Sequence, residues 1–268
     1  MQTITFPEIG IEINLNRIAF SIGSIGIHWY AIFIVSALII ALLFLYKKRN
    51  KMEIKFETLV DLMLYLIPIS LICARIYYCL FRGDYYFKNP WKIFYIQDGG
   101  LAIYGGIIGG ALTCYFFCKK RNINFLLLLD YIVPYLALGQ AIGRWGNFIN
   151  VEAYGTETKL PWRMGIIENG IYKEVHPTFL YESIADLLIF FVLIRVNSKN
   201  NFNGKTTCLY LILYSLVRFF IEELRTDSLM LYNIKISQIL SLALFVAFNI
   251  LLSKKEYRQR KINANLEK

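Results

Sequence analysis

The sequence has little of the residue types on which most metal and acid–base sites depend. It holds only two histidines and five cysteines in 268 residues. The cysteines fall in apolar segments, where small packing residues are expected. Cys114 and Cys118 share a helix face, but two thiols without histidine or carboxylate partners make a poor zinc site. We therefore predict no metal and no cofactor.

We also expect neither an internal repeat nor a cleavable leader. No motif recurs at the 20–50-residue period that marks repeat proteins. Residues 1–26 carry Glu8, Glu12 and Arg17 in place of a continuous apolar core. We therefore expect the first apolar run itself to direct membrane insertion. A single membrane domain over residues 1–268 is predicted.

Long apolar runs are what the sequence has in abundance. Hydrophobic residues make up 57% of the chain and the mean hydropathy is +0.47, against about 45–50% apolar residues in an ordinary soluble domain. Each run is long enough to cross a hydrocarbon core of about 30 Å. We predict an all-α integral membrane protein with seven transmembrane helices, near residues 27–46, 57–80, 101–118, 124–143, 178–196, 206–224 and 236–253.

The net charge of +10 would suit a nucleic-acid partner, but its placement indicates a membrane topology. Most lysines and arginines lie in alternate loops, at 47–55, 119–122, 195–205 and 254–268. This alternation follows the positive-inside rule. It predicts an N-terminus outside the cell, a cytoplasmic C-terminus and no nucleic-acid binding.

Two external segments are predicted to carry short strands. The larger is a head segment at about residues 144–177, in which Asn169-Gly170 separates two alternating runs in "WRMGIIENGIYKEVHP". Asn-Gly between such runs favours a β-hairpin. The N-terminal external arm, residues 1–26, alternates in the same way, and we expect it to form a short strand or an interfacial segment on the same face.

Charged and phenolic side chains concentrate in one half of the predicted membrane region. A charge within a span costs about 2.5–3.5 kcal/mol on insertion scales, so each calls for a reason. Arg75 and Arg218 lie about 10 Å below the outer ends of their helices. Tyr30 and Tyr104 lie about one turn below theirs, and Arg144 is placed at the outer end of the fourth helix. All five fall in the outer half of the bilayer.

The sixth helix carries its polar residues on one face. Tyr214, Arg218, Glu222 and Arg225 follow spacings of four, four and three residues, which keeps them within one arc. Two interpretations remain open. The face is either a structural ladder, in which Glu222 pairs with both arginines, or part of an anion site.

The stretch "GQAIGRWGNFINVEAYG" (139–155) places Arg144, Asn147, Asn150 and Glu152 at the end of an apolar segment. Arginine suits phosphate because its planar fork gives paired, charge-assisted hydrogen bonds. Asparagine amides can donate to phosphate or glycerol oxygens. We predict a phospholipid-headgroup site open to the outer leaflet. The pairs Gly105/Gly109 and Gly106/Gly110 predict a close helix–helix approach.

Six blocks, in order along the chain, carry a resemblance to a known family. The sequence resembles the bacterial prolipoprotein diacylglyceryl transferases, and the fourth block is the most specific. The blocks are "HWYAI" (28–32), "ARIYYCLF" (74–81), "DGGLAIYGGIIGG" (98–110), "GRWGNFINVEAYG" (143–155), "HPTFLYE" (176–182) and "YSLVRFFIEELR" (214–225).

The resemblance implies a function, its partners and its location. The family moves a diacylglyceryl group from phosphatidylglycerol to the thiol of the lipobox cysteine in a prolipoprotein signal peptide. A thioether forms and glycerol phosphate leaves, in the first step of lipoprotein maturation. The expected location is the bacterial cytoplasmic (plasma) membrane, with several passes and an active site that faces the outer leaflet.

The resemblance also implies roles for individual residues. Those expected to act in catalysis are Tyr104, Arg144, Glu152, Tyr214 and Arg218. Those expected to bind phosphatidylglycerol are Tyr30, Arg75, Tyr78, Arg144, Asn147, Asn150 and Gly155. Supporting roles are expected for His28, His176, Glu222 and Arg225.

One position departs from the family pattern. Many members have histidine where this chain has Tyr104, and that histidine is often regarded as the base. A phenol is a weak base at neutral pH, because its ordinary pKa is near 10. Three alternatives remain: neighbouring arginines activate the phenol, Tyr104 orients the substrate, or the base lies elsewhere. Glu152 and Glu222 are the candidates elsewhere.

Two other functions compete with this interpretation. A metal-dependent lipid phosphatase or headgroup transferase would be expected to cluster aspartates, whereas Asp98 stands alone in its block. A lipid or organic-anion transporter would carry ionisable groups near the midplane and broken helices related by a repeat. Only Asp186, near the midplane, favours a transporter.

Overall fold

The protein is built mainly from long helices. The computed structural model describes residues 2–23, 25–95, 99–198, 200, 202–232 and 234–266, so Asp98 lies outside the described residues. The helices are α1 (Trp29–Lys48), α2 (Phe56–Phe81), α3 (Gly83–Tyr86), α4 (Ile103–Arg121), α5 (Phe125–Asn150), α6 (Thr178–Asn197), α7 (Lys205–Leu224) and α8 (Ile236–Leu266). The strands are β1 (Gln2–Phe6), β2 (Ile11–Leu15), β3 (Ile18–Ile22), β4 (Ile25–His28), β5 (Met164–Glu168), β6 (Ile171–Val175), β7 (Met230–Leu231) and β8 (Ile234–Lys235).

Four helices are both long and apolar enough to cross a membrane. They cover Trp29–Lys51, Phe56–Phe81, Phe125–Asn150 and Ile236–Asn265 among the described residues. The other long helices, α4, α6 and α7, do not meet both conditions. Charged residues lie within the apolar stretches of two of them, Glu182 and Asp186 in α6 and Arg218 in α7. Charge lowers the mean hydropathy of a segment, so helices that carry a polar site give a weak membrane signal. The protein is thus a largely helical membrane protein.

The chain divides into two compact units, whose boundaries fall within α1 and α5. The smaller unit covers residues 42–128 and is organised by the packing of α2 against α4. A Cβ on Gly105 would lie 2.5 Å from the carbonyl oxygen of Cys73, and one on Gly109 would lie 2.5 Å from the Cβ of the same cysteine. The glycine spacing in α4 therefore serves close helix packing.

The larger unit covers residues 1–41 and 129–268 and carries a four-stranded antiparallel sheet in the order β2-β1-β5-β6. The start of the chain thus pairs with the segment that follows α5, and Thr5 is aligned with Gly165. One face of the sheet packs on Phe148 near the end of α5 and on Phe179 at the start of α6. The sheet therefore fixes the ends of two helices relative to each other.

The turn between β5 and β6 contains Asn169 (φ 52°) and Gly170 (φ 81°). Two consecutive positive φ angles are the requirement of the type I′ hairpin turn, which Asn-Gly meets with little strain. Gly165 within β5 has a different reason. A Cβ there would lie 2.2 Å from Thr5 Oγ1 and 2.3 Å from the Tyr172 hydroxyl.

The end of α5 differs from the predicted position. The helix was expected to stop at residue 143, with Arg144 at its end and an external head from residue 144. It continues to Asn150. Gly143 and Gly146 do not break it, because helical residues on both sides supply the hydrogen bonds. Arg144, Asn147 and Asn150 are therefore spaced one turn apart on a helix and not in a loop.

Candidate active site

A buried carboxylate joins three arginines in the larger unit. Glu182 lies in the second turn of α6 and is 4% exposed. Its Oε2 forms an ion pair with Arg144 of α5 and lies 3.4 Å from Arg218 Nη1 of α7. Its Oε1 lies 3.2 Å from Arg225 Nη1, at the C-cap of α7. Glu182 therefore links three helices at one point.

Two further carboxylates complete the charge balance around these arginines. Arg218 also pairs with Glu222, one turn along α7, and Glu222 is 1% exposed. Arg225 donates from Nε and Nη2 to the two carboxylate oxygens of Asp227, at 2.9 and 2.7 Å. Three positive charges thus face three negative ones. Such a cluster tolerates burial because every charge has a partner.

The arginines are not enclosed completely. The side chains of Arg144 and Arg218 each keep 18% of their surface exposed. Arg144 Nη1 reaches Asn147 Oδ1 only at 3.4 Å, which is too long for a strong hydrogen bond. The pairing with Glu182 thus fixes the guanidinium of Arg144 while leaving part of its donor edge accessible.

A line of hydrogen bonds extends from Arg144 to the exposed end of α5. Asn147 Nδ2 donates to Glu152 Oε1 at 2.8 Å, and Asn150 Nδ2 donates to the same oxygen at 3.2 Å. Arg17 in turn donates to the carbonyl of Asn150 at 3.0 Å. The polar residues of the fourth sequence block are therefore assembled into one connected group, and Glu152 is its exposed member.

The backbone is turned back at Glu152 by a helix C-cap of the Schellman type. Glu152 N–H donates to the carbonyl of Asn147, and Val151 N–H donates to that of Phe148. The residue with positive φ in this motif is usually glycine, but here it is Val151 (φ 52°), and Ala153 (φ 55°) follows. Left-handed conformations of a β-branched residue are rare and strained. The packing of Val151 against the sheet core favours this conformation.

Gly155 brings three chain segments together behind the cluster. Its N–H donates to the carbonyl of His176, and the next N–H, of Thr156, donates to that of Leu224 at the end of α7. A Cβ on Gly155 would lie 2.7 Å from the Cβ of His176 and 3.0 Å from the carbonyl oxygen of Leu224. This glycine of the signature therefore has a close-packing role.

His176 lies at the same junction. Its Nδ1 is 3.2 Å from the hydroxyl of Tyr181, which also accepts a hydrogen bond from Trp162 Nε1 at 2.6 Å. Burial lowers the pKa of His176 below its ordinary value. His28 ends β4 and is exposed.

Two tyrosines and a second acidic residue lie beside the cluster. Tyr214 stacks on Tyr210, with ring centroids 5.5 Å apart, and Tyr210 donates to Gln140 Oε1 at 2.8 Å. Asp186, one turn beyond Glu182, is 1% exposed, and its Oδ2 has no hydrogen-bond partner in the described part of the chain. A buried, incompletely paired carboxylate is costly, so this position calls for a reason.

Tyr30, near the start of α1, contacts the same helix as Arg144. A Cβ on Gly146 would lie 2.2 Å from Tyr30 Cδ2, so the glycine makes room for the ring. Tyr30 remains 39% exposed. The Tyr30 ring thus packs against α5 at Gly146, within one turn of Arg144 and Asn147 in the helix.

The remaining predicted residues lie in the smaller unit. Arg75 donates hydrogen bonds from its guanidinium to the backbone carbonyls of Lys92, Ile93, Tyr95, Gly99 and Gly100. In this conformation Arg75 holds the segment before α4 and keeps no donor for a phosphate. The ring of Tyr78 packs on Gly100, and Tyr104, in the first turn of α4, is 40% exposed.

Sequence reasoning missed the central role of Glu182 and the pairing of Arg225. In one of the two interpretations left open, Glu222 pairs with both Arg218 and Arg225, but Arg225 pairs with Glu182 and Asp227 instead. The reason is that Arg225 lies past the end of α7 and has left the helical face. The available signal was the pair Glu182 and Asp186, two acids one turn apart in an apolar helix.

Long apolar helices and an arginine–carboxylate cluster held between α5, α6 and α7 define a multi-pass membrane protein with a site suited to an anionic group. A profile of the family "Prolipoprotein diacylglyceryl transferase" matches residues 17–253. The chain belongs to this family. The resemblance in the six sequence blocks is thereby confirmed.

Curated relatives agree over nearly their whole length. A protein of Finegoldia magna is 49% identical over 238 residues, which cover 88% of this chain and 94% of the relative. One from Clostridioides difficile is 46% identical over 85% of this chain and 90% of its own, and one from Clostridium novyi is 42% identical over 92% and 98%. All three are named phosphatidylglycerol–prolipoprotein diacylglyceryl transferase.

Proposed function

We propose that this protein transfers the diacylglyceryl group of phosphatidylglycerol to the cysteine thiol of a prolipoprotein, in lipoprotein maturation. Family membership and the names of relatives at 42–49% identity support the reaction. The structural observation that carries it is the meeting of Arg144 and Arg218 at Glu182, with part of each guanidinium still exposed. No cofactor is needed for the chemistry.

The reaction is a substitution at carbon. The cysteine sulfur, as thiolate, attacks the glycerol carbon that bears the phosphate ester of the diacylglyceryl group. The carbon–oxygen bond breaks as the carbon–sulfur bond forms, and glycerol phosphate leaves with the bonding electrons. Negative charge on the leaving phosphate increases in the transition state. Guanidinium groups already fixed by Glu182 stabilise that charge without first having to reorient.

The thiol must lose its proton before it attacks, since the thiolate is the nucleophile. Glu152 is better placed to accept it than Glu222. Glu222 is buried and paired with Arg218, whereas Glu152 is exposed and oriented by the amides of Asn147 and Asn150. In this role Asn147 connects the proton acceptor to Arg144, which holds the phosphate.

Open space along α5 supports a lipid approach to this site. A Cβ built on Gly139 or Gly143 would meet nothing within 4 Å in the described part of the chain. The two glycines lie one turn apart and lead to Asn147 on the same helix face. We infer that the glyceryl and acyl part of the substrate lies over these glycines, with its phosphate at Arg144.

The proposed arrangement in the membrane has seven spans. Besides the four apolar helices, α4, α6 and α7 would cross with their polar faces turned to protein. The basic loops place residues 47–55 and the C-terminus in the cytoplasm, and the site near the outer leaflet of the plasma membrane. Cysteine introduced at Asn169 should react with an impermeant maleimide in intact cells, whereas Arg258→Cys should react only after lysis. The reverse pattern would overturn this orientation.

The decisive experiment uses purified protein, phosphatidylglycerol and a peptide with a lipobox cysteine. Mass spectrometry should detect a diacylglyceryl adduct on the peptide and free glycerol phosphate in equal amounts. A peptide with serine at the same position is the matched control and should give no adduct. Absence of adduct with the cysteine peptide, from protein that melts cooperatively, would refute the proposed activity.

A further inference from the structure

A second polar site lies at the opposite end of α7 from the arginine cluster. The helix has 20 residues, so its two ends are about 30 Å apart, the thickness of a hydrocarbon core. At its start, Phe202 and Lys205 face one side of the last turns of α8 across a cavity of about 160 Å³. The α8 residues that line it are Glu256, Gln259, Arg260 and Asn263.

Lys205 and Arg260 line this cavity, which we call the α7–α8 pocket, and Lys255 lies next to it. The ammonium groups of Lys205 and Lys255 lie 5.9 and 5.8 Å from the ring centre of Phe202, within cation–π range. Lys255 is held in place by a hydrogen bond to the carbonyl of Asn203 at 3.1 Å. Arg260 forms no ion pair with the part of the chain that the structure describes. One acid, Glu256, faces Lys205 at a loose 3.8 Å.

The residues of α8 that line the pocket share one side of the helix. The lining positions of α8 follow spacings of three and four residues, which place them on one helix side toward α7. Lys205, Glu256 and Gln259 are half-buried, and Arg260 and Asn263 are exposed at the rim. The exposed Arg258 and Lys254 of the same helix do not line the cavity. Two cationic side chains, Lys205 and Arg260, and one acid, Glu256, line the cavity. This leaves an excess of positive charge over a concave space, which suits a phosphate group.

The position of the pocket favours a membrane lipid as the molecule that carries the phosphate group. The apolar part of α8 runs without a break into "KKEYRQRK", so the pocket lies where the helix leaves the hydrocarbon region. Basic groups next to a span attract anionic lipid headgroups. We propose that the α7–α8 pocket binds the headgroup phosphate of an anionic phospholipid, in the leaflet opposite to the arginine cluster.

The test measures binding of phosphatidic acid to the purified full-length chain by native mass spectrometry. All variants carry Arg144→Ala, so that the proposed substrate site does not contribute. The pocket variant is Lys205→Glu with Arg260→Glu. The matched control is Lys254→Glu with Arg258→Glu, which changes the net charge equally on exposed positions of α8. The pocket variant should bind at least about tenfold more weakly and the control less than about twofold.

Three results would overturn the proposal. Equal loss in both variants would indicate diffuse attraction without a site. Equal binding of phosphatidylcholine would remove the role of negative charge. Displacement by inorganic phosphate at the concentration of the lipid would indicate a soluble anion. Because charge reversal can impair folding, Lys205→Gln with Arg260→Gln is measured as well and should still weaken binding. Transfer activity is assayed separately, in proteins that keep Arg144. A negative result for lipid binding at the pocket therefore leaves the proposed reaction untouched.

Discussion

Arg144 of α5 and Glu182 of α6 form an ion pair in which the acid is almost completely buried and the arginine keeps part of its surface exposed. The pair has two consequences. It joins two helices, and it orients the guanidinium before any substrate arrives. A preorganised donor costs no rearrangement during the reaction. Structural stapling and anion binding, which the sequence left as alternatives, are therefore compatible in one cluster.

Glu182→Gln tests the structural part of this arrangement. It removes the carboxylate charge and leaves Arg144, Arg218 and Arg225 facing a neutral amide. Loss of one partner in a buried ion pair costs about 3–5 kcal/mol, so we expect a large fall in the melting temperature in detergent. Glu12→Gln, on exposed strand β2, is the control and should melt like the wild type. A wild-type melting curve for Glu182→Gln would contradict the role of this acid.

Arg144→Ala and Arg218→Ala are each expected to abolish thioether formation while the protein remains in the membrane fraction. Arg144→Lys and Arg218→Lys separate charge from geometry, because lysine keeps the charge without the planar fork. We expect each to lower the transfer rate by about 10²–10³-fold. Arg163→Lys, in the segment before β5, serves as the control. Full activity in either alanine variant would remove the phosphate-clamp argument.

Tyr104→Phe is expected to keep measurable activity. Tyr104 stands where many family members are expected to have histidine. In the proposed mechanism, Glu152 and not Tyr104 accepts the proton of the thiol. The rate is to be compared with that of Glu152→Gln, which should lose transfer while still binding phosphatidylglycerol. If Tyr104→Phe were inactive and Glu152→Gln active, the phenol and not the carboxylate would be the proton acceptor.

His176 predicts a dependence of stability on pH. Burial lowers the pKa of His176 in the folded protein, whereas in the unfolded chain it has its ordinary value near 6.5. The unfolded chain therefore binds a proton first as pH falls, and stability decreases below about pH 6.5. The melting temperature of His176→Gln should fall less between pH 7.5 and 5.5 than that of the wild type. Parallel curves would exclude this contribution.

Two glycine-to-alanine changes distinguish packing from open space. Gly105→Ala places a methyl group 2.5 Å from backbone and side-chain atoms of α2, so we expect it to lower the melting temperature. Gly139→Ala meets nothing within 4 Å among the described residues, and we expect no loss of stability. Equal melting temperatures for the two variants would contradict the close approach of α2 and α4.

The sequence predicted elements whose signals are local. Apolar runs give the long helices, and Asn169-Gly170 gives the hairpin turn, because length and turn chemistry need no tertiary information. Helix α5 extends beyond the apolar run 124–143 to Asn150, because a helix can continue into polar residues after the apolar pattern has ended. Pairing of β1 with β5 could not be predicted, because register between distant strands depends on packing that no local pattern encodes.

The sequence predicted many of the residues of the candidate site but few of the contacts between them. Arg144, Asn147, Asn150 and Glu152 form one connected group, as their spacing in a single segment suggests. Glu182 is not among the residues that the sequence predicted for the site. Its partners come from α5 and α7, and which helices meet is a property of the fold.

The sheet that holds the site also constrains when the site can exist. Thr5 of β1 is within hydrogen-bonding distance of Tyr172 in β6, although 167 residues separate them in the chain. During translation, β1 is synthesised long before β5 and β6. The sheet against which Val151 packs, next to Glu152, can therefore be complete only after β6 has been synthesised. Mutations in β1 would therefore affect the site around Glu152, although the two segments are far apart in the sequence.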